Sequence, residues 1–255
     1  MDVRPKNDLR HEIKFLINRA QQVALIDELS AQMQPDAHGE GGQYLVSSLY
    51  YDTADYKAYW DKVDGFDFRR KVRMRLYGNE PVLPESIVYL EIKARVGNRM
   101  AKRRLRLTHA EARVLTGQEE APAAVIPTVR NDAEQQVYEE LEYLFSALRL
   151  QATSVVSYQR LAYGGHEQYP DLRVTFDTAV RGRIDNLSLL SADAGSSHTI
   201  LAPGWAILEV KVNQTMPFWL GELLSRHRCV PRRVSKYCAV LERCGTIRRR
   251  QHIFL

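Results

Sequence analysis

The chain has 255 residues and 29.3 kDa, with 36 Lys+Arg against 31 Asp+Glu, a net charge of +5 and a pI near 9.1. With 45% hydrophobic residues and 24 Gly plus Pro it is neither disordered nor fibrous, and one domain with a real core is expected over residues 1–255. No apolar run is long enough to cross a bilayer, residues 1–7 lack the apolar stretch of a secretory signal, and Cys229, Cys238 and Cys244 form no CxxC. A cytoplasmic protein with reduced cysteines is expected.

Strand patterns run at residues 10–17, 44–51, 69–77, 87–96, 101–107, 155–163, 172–178 and 206–212. Helical patterns run at 19–34, 55–63, 108–115, 132–148, 217–227 and 235–243, and Thr108 with Glu111 fits a capping box. Several strands follow one another through short connections, at 69–107 and again at 155–190, which favours antiparallel meanders with attached helices over a doubly wound sheet. The fold class is α+β, and eight antiparallel strands can close into a barrel with an interior.

On a strand, residues i and i+2 share a face, and that rule exposes the chemistry. Glu12 and Lys14 lie opposite Ile13 and Phe15; Glu91, Lys93 and Arg95 lie opposite Leu90, Ile92 and Ala94; Glu209 and Lys211 lie opposite Leu208 and Val210. Lys71, Arg73 and Arg75 share one face, as do Lys102, Arg104 and Arg106, although KRRLR admits a one-residue shift that would turn Arg103 inward instead. An ordinary solvated face mixes both charge signs with Ser, Thr and Gln, whereas like charges roughly 7 Å apart along a strand repel unless anions intervene. Arg outnumbers Lys 27 to nine, which suits bidentate phosphate recognition. The glutamates then call for a hard cation such as Mg²⁺ or Mn²⁺, through which carboxylate and phosphate can meet.

Three E-x-K strands (Glu12, Lys14; Glu91, Lys93; Glu209, Lys211) with Arg73-Met-Arg75 between the first two resemble the CYTH-like triphosphate tunnel metalloenzymes. Tyr158-Gln-Arg160, the strand from Leu172 through Arg173 to Asp177, and Ser235-Lys236-Tyr237 resemble the VTC branch, the polyphosphate polymerase domain, over about residues 8–243. The resemblance implies an eight-stranded antiparallel β-barrel, a triphosphate tunnel with surrounding helices, that transfers the γ-phosphoryl group of ATP to a polyphosphate chain. Relatives hydrolyse inorganic or nucleoside triphosphates, and a non-catalytic polyphosphate-binding module is a further alternative. Carried over motif by motif, the phosphate ligands are Lys14, Arg73, Arg75, Lys93, Lys102, Arg104, Arg160, Arg173, Lys211 and Lys236, with Lys211, Arg75 and Lys236 nearest the chemistry. Glu209 is the first metal candidate, then Glu12 and Glu91. Partners are ATP, triphosphate or polyphosphate, with no specific nucleic acid; a membrane-protein partner and the oligomeric state are left open.

Other chemistry finds no motif: there is no GxxxxGK[ST], GxGxxG or GxSxG, and the histidines have no metal-ligand spacing. Tyr50, Tyr51, Tyr56, Tyr59 and Trp60 read as helix-on-sheet packing, and Arg248–Arg250 as a solvated tail. Ten cations against three glutamates put about +7 on the expected lining, more than the whole chain carries. Such a surface gains stability from any anion that binds the native state alone. Millimolar triphosphate is expected to raise the thermal unfolding midpoint; an unchanged midpoint would count against a shared cationic lining.

Overall fold

The structure, a computed structural model, describes residues 10–97, 99–119, 129–189 and 197–247; Arg248–Arg250 and residues 1–7 lie outside them. Eight long strands form one antiparallel sheet: β1 (His11–Asn18), β3 (Gln43–Asp52), β4 (Phe68–Tyr77), β5 (Ile87–Val96), β6 (Arg99–Thr108), β7 (Gln151–Gly164), β8 (Arg173–Arg183) and β10 (Trp205–Val212). Their order is β1-β10-β8-β7-β3-β4-β5-β6. Two short strands, β2 (Gln34–Pro35) and β9 (His198–Thr199), attach to β7 and β8.

The sheet curls until its first and last strands meet. Arg10 and Met100 exchange backbone hydrogen bonds of 3.0 and 3.1 Å. Further along, the free edge of β1 is covered by residues 231–234: Arg232 N–H donates to the Lys14 carbonyl at 2.7 Å, and Phe15 bridges to Pro231. A chain segment thus fills the seam that strand pairing leaves, and it leads directly into α6 (Lys236–Arg243).

Alternation along each strand divides apolar from charged. On the outside, α1 (Arg19–Ser30) and α5 (Phe218–Arg226) bury Leu25, Leu29, Leu220 and Leu223 against Phe15, Ile17, Val174, Phe176, Leu208 and Val210. Likewise α3 (His109–Leu115) and α4 (Asp132–Ala147) bury Ala112, Val137, Leu141 and Leu144 against Val72, Met74, Leu90, Ile92, Leu105 and Leu107. A third core closes the curl from within: Tyr237, Val240 and Leu241 of α6, with Tyr59 of α2 (Lys57–Val63), pack on Val46, Val156, Tyr158, Val180 and Ile207. Asp52, at the end of β3, accepts from Ala58 N–H (2.8 Å), Tyr59 N–H (3.2 Å) and the Tyr237 hydroxyl (2.5 Å), fixing α2 and α6 to one point.

The expected capping box is present: Thr108 accepts from Glu111 N–H at 3.2 Å and Glu111 accepts from Thr108 N–H at 2.7 Å. Three boundaries differ from the sequence reading by four residues or more; one is the start of β7, at Gln151 instead of 155, where Gln151 and Ala152 pair with Asp52 and Tyr51. The first helix ends at Ser30, four residues early, because Gln34–Pro35 pairs with Tyr163–Gly164 instead. The strand expected to end at Thr178 runs on to Arg183, passing Ala179 at φ 48°, a left-handed residue that bends the strand toward α6. There Gly182 is required by space: a Cβ would sit 2.1 Å from Val240 Cγ2. Gly182→Ala is expected to lower stability by about 1–3 kcal/mol, the cost of overpacking, measured by thermal or denaturant unfolding. Val240→Ala in the same chain is expected to restore part of it.

Candidate functional site: the charged interior of the curled sheet

Antiparallel register keeps each parity on one side from strand to strand, so the charged faces merge. Lys14 stands opposite Glu209 and Glu12 opposite Lys211; Lys211 stands opposite Arg173, and Arg160 opposite Asp177. Tyr50 stands opposite Arg73, Arg73 opposite Glu91, Lys71 opposite Lys93, and Lys93 opposite Lys102. All ten cations carried from the sequence, and all three glutamates, lie on the inner parity or, for Lys236, at the start of the helix that enters it.

One wall gathers around Glu209. Its carboxylate lies 3.2 Å from Lys14 Nζ, 3.0 Å from Lys211 Nζ, 3.2 Å from Lys236 Nζ and 3.7 Å from the Arg160 guanidinium. Burial alone would raise the Glu209 carboxyl; Lys14, Lys236 and Lys211 instead hold it well below the usual carboxylate range. Lys14 also reaches Glu12 at 3.0 Å, and burial, which would strip its proton, is overcome by Glu209 and Glu12, so its ammonium is held well above its ordinary value. Arg160 grips Asp177 through two bonds of 2.7 and 2.8 Å, and Lys236 Nζ reaches the same carboxylate at 2.5 Å.

The facing wall gathers around Glu91. Arg73 donates to it from Nε and from Nη2 at 2.8 and 2.6 Å; Arg75 stands 3.7 Å away and Lys102 3.6 Å. Glu91 is fully buried, and Arg73 and Arg75 overcome that burial to hold it ionised far below its ordinary value. Arg75 is held by neutral groups, the Ser48 hydroxyl and the Tyr158 hydroxyl, each at 3.2 Å. Lys93 crosses between the walls to Glu12 at 2.9 Å; burial outweighs that attraction and pulls its ammonium down to about 8. Tyr50 accepts from Arg73 at 3.1 Å; burial opposes its ionisation, yet Arg73 and Arg75 draw it down to about 8.

The structure resolves the register of KRRLR. Lys102 and Arg104 take the inner parity, Arg104 lying 4.8 Å from the Tyr89 ring, while Arg103 points outward to Glu140 at 2.6 Å. Arg173 sits at the rim, ion-paired with Asp36 and donating to the Tyr44 hydroxyl at 2.9 Å. The sequence alone assigns no part in the charged lining to Asp177, Asp36, Tyr50, Ser48 or Tyr158, although Tyr158 and Asp177 belong to motifs that carry the resemblance. Asp177 was accessible, since it shares parity with Arg173; the others needed the cross-strand register. Tyr50 packs a helix on the sheet as expected, stacking on Tyr237 of α6 with ring centroids 5.1 Å apart, and it also touches the charged lining through Arg73.

The glutamates do not converge as a set. Glu12 and Glu209 share Lys14, whereas Glu91 belongs to Arg73 on the opposite wall, and no group of three metal-ligating side chains occurs among the described residues. Mg²⁺ and Mn²⁺ are hard cations commonly held by one or two carboxylates plus substrate phosphates. The ionised pair Glu209 and Glu12 fits that requirement; on the opposite wall Arg73 occupies only Oε2 of Glu91, and its buried Oε1 has no hydrogen-bond partner, so Glu91 can also offer one oxygen.

The VTC domain family model matches residues 9–244, and the chain belongs to that family. Its curled sheet is the triphosphate-tunnel fold. An adenylyl cyclase candidate from Hippeastrum, reported with a dominant triphosphatase activity, superposes with a TM-score of 0.52 at 14% identity over 93% of this chain and 95% of its own. An adenylate cyclase candidate from Bacillus halodurans gives 0.49 at 15% identity, over 89% and 94% of the two chains. No curated protein matches the chain.

Asp177 supplies a test of the electrostatics. Burial would raise its carboxyl, but Arg160 and then Lys236 hold it below the usual range. A depressed carboxylate contributes stability that is present above its unfolded value, near pH 4, and lost as pH falls through the lower folded value. Asp177→Asn is expected to lose about 3–5 kcal/mol at pH 7, because two buried cations lose their counter-ion. That difference should shrink below about pH 4 in pH-resolved unfolding; a constant difference would show that the ion pairs contribute nothing.

Proposed function

We propose that the chain is a polyphosphate polymerase, transferring the γ-phosphoryl group of ATP to the end of a phosphate chain held between the two cationic walls. Phosphoryl transfer needs donor and acceptor in line and charge stabilisation on the moving group, with little covalent help from protein. Arg73, Arg75, Lys93, Lys102 and Arg104 on one wall, and Lys14, Lys211, Arg173 and Lys236 on the other, supply that charge from fixed strands. Arg160, committed to Asp177, acts as a positioning residue. A divalent metal held by Glu209 and Glu12 would neutralise charge on the β- and γ-phosphates. The acceptor's terminal oxygen forms the new P–O bond, the bond from the γ-phosphorus to the β–γ bridging oxygen breaks, and ADP leaves.

The observation that carries this reading is the state of the carboxylates. Glu12, Glu91, Asp177 and Glu209 are all ion-paired with Lys or Arg and held below their ordinary pKa. Carboxylates so depressed are poor proton acceptors, which disfavours activation of water. A phosphate acceptor is already ionised and needs no base. One feature favours the hydrolytic alternative: Tyr50, drawn down to about 8 at the edge of the Arg73 cluster, could take a proton from water.

Incubation of the pure protein with ATP and Mn²⁺, resolved by gel, separates the two. A polymer ladder is the expected result; phosphate release without polymer would establish the hydrolase. Lys211→Ala and Arg75→Ala are each expected to reduce turnover by about tenfold or more, the worth of a charge-assisted phosphate bond. Full activity in either variant would refute its assigned role.

A further inference from the structure

Four of the exposed large hydrophobic side chains stand at one corner of the outer surface. Phe68, 56% exposed, opens β4 directly opposite Val96, 55% exposed, at the end of β5, so the two share a face. Phe66, 58% exposed, precedes β4, and its N–H donates to the Asp61 carbonyl of α2 at 3.0 Å; the exposed Trp60 belongs to that same helix. Phe68 shares parity with Val72, which packs in the outer core, so this corner lies outside the charged channel. Single exposed apolar residues are ordinary, whereas a cluster of aromatic side chains marks an interaction surface.

Beside the corner is a hole. A cavity of about 170 Å³ opens between α2, β4 and the end of α4, with Ala58, Phe68, Val72 and Leu148 among the side chains that line it. An apolar cavity of about 150 Å³ accepts a benzene ring, so this one is sized for a phenyl group. Phe66, two residues from Phe68 and bonded to Asp61, adjoins the cavity without lining it. The surrounding charges are balanced as well. Arg69 takes the inner parity, and the other charged residues from 57 to 70 are Lys57, Lys62 and Arg70 against Asp61, Asp64 and Asp67, with Lys57 ion-paired to Asp61 at 2.7 Å. Elsewhere the chain is basic: it carries +5 in all, and between Glu222 and Glu242 five cations occur with no carboxylate. Two copies of such a chain repel over much of their surface, but not here.

We infer that this corner is a docking surface for a second copy of the chain, in which Phe66 of each copy enters the cavity beside α2 of the other. A two-fold contact between identical chains requires one patch to carry both projection and receptor, and to present charges that complement themselves. Phe66 with the adjoining cavity meets the first requirement, and the three cations with three carboxylates meet the second. Aromatic side chains bury about 150–250 Å² each, so four half-exposed groups supply less than the roughly 800 Å² per partner of a standard interface. The dimer is therefore reversible, dissociating in the micromolar range. Docking on the outer face leaves the channel lining untouched and does not depend on the reaction run inside it.

Sedimentation velocity from micromolar to hundreds of micromolar protein tests this, with the wild-type chain, Phe66→Asp and Ala58→Met. Phe66→Asp changes an exposed side chain, and methionine is well tolerated in a helix, so both variants are expected to fold, checked by an unchanged unfolding midpoint at low concentration. Wild type is expected to pass from monomer to dimer and stop there, because a two-fold contact closes at two. Phe66→Asp is expected to raise the dissociation constant about thirtyfold or more, the effect of losing one hot-spot side chain. Ala58→Met, which fills the hole from within, is expected to weaken the dimer as well. A wild type that stays monomeric, or that assembles without limit, would overturn the surface. So would a dimer that neither variant weakens, since the copies would then meet elsewhere. Loss of the dimer in Phe66→Asp but not in Ala58→Met would show that the phenyl group is not seated in the cavity, and the pairing of projection and hole would be wrong.

Discussion

Counter-charge delivered in register is the constraint on which this molecule depends. A curled sheet that turns lysine and arginine inward removes them from water, and unpaired buried charge costs several kcal/mol per group. Here the compensation comes from strand pairing itself: Lys14 meets Glu209, Arg73 meets Glu91, and Arg160 meets Asp177 on neighbouring strands. A one-residue slip in any of these ladders would send the carboxylate to the apolar exterior and strand its cation inside. Register and electrostatics therefore specify one another.

Closure of the curl is a separate problem, solved by residues outside the sheet. Among the described residues a pair of backbone hydrogen bonds between Arg10 and Met100 ties the start of β1 to β6, and residues 231–234 meet the β1 edge at Lys14 and Phe15. The same segment leads to Lys236, whose ammonium completes the Glu209 and Asp177 clusters, and to Tyr237, whose hydroxyl is tied to Asp52. The device that seals the interior thus also brings a cation into it. No helix of the described residues is long and apolar enough to cross a membrane.

Membership of the VTC domain family rests on a match over most of the chain, whereas likeness to the Hippeastrum protein at 14% identity establishes the fold alone. What separates polymer growth from hydrolysis lies in the lining: whether a group can take a proton from water, and whether the acceptor is held on the same charged surface. The first turns on pKa values that strand neighbours set. The second turns on which cations of the lining an acceptor can reach, which strand register sets.

Local sequence determined the eight long strands and six helices to within a few residues, because alternation of period 2, helical periodicity and caps such as Thr108 and Glu111 are short-range signals. It also determined that Glu12, Lys14, Lys93, Glu209 and Lys211 face away from the apolar core, since parity follows from the strand alone. Tertiary structure decided what parity cannot reach. It paired Asp177 with Arg160, put Arg103 outside with Glu140, gave Tyr50 a hydrogen bond from Arg73 besides its packing on α6, and separated Glu91 from Glu12 and Glu209. Each of these depends on which strands are neighbours and in what register, which is fixed by contacts among residues far apart in the chain.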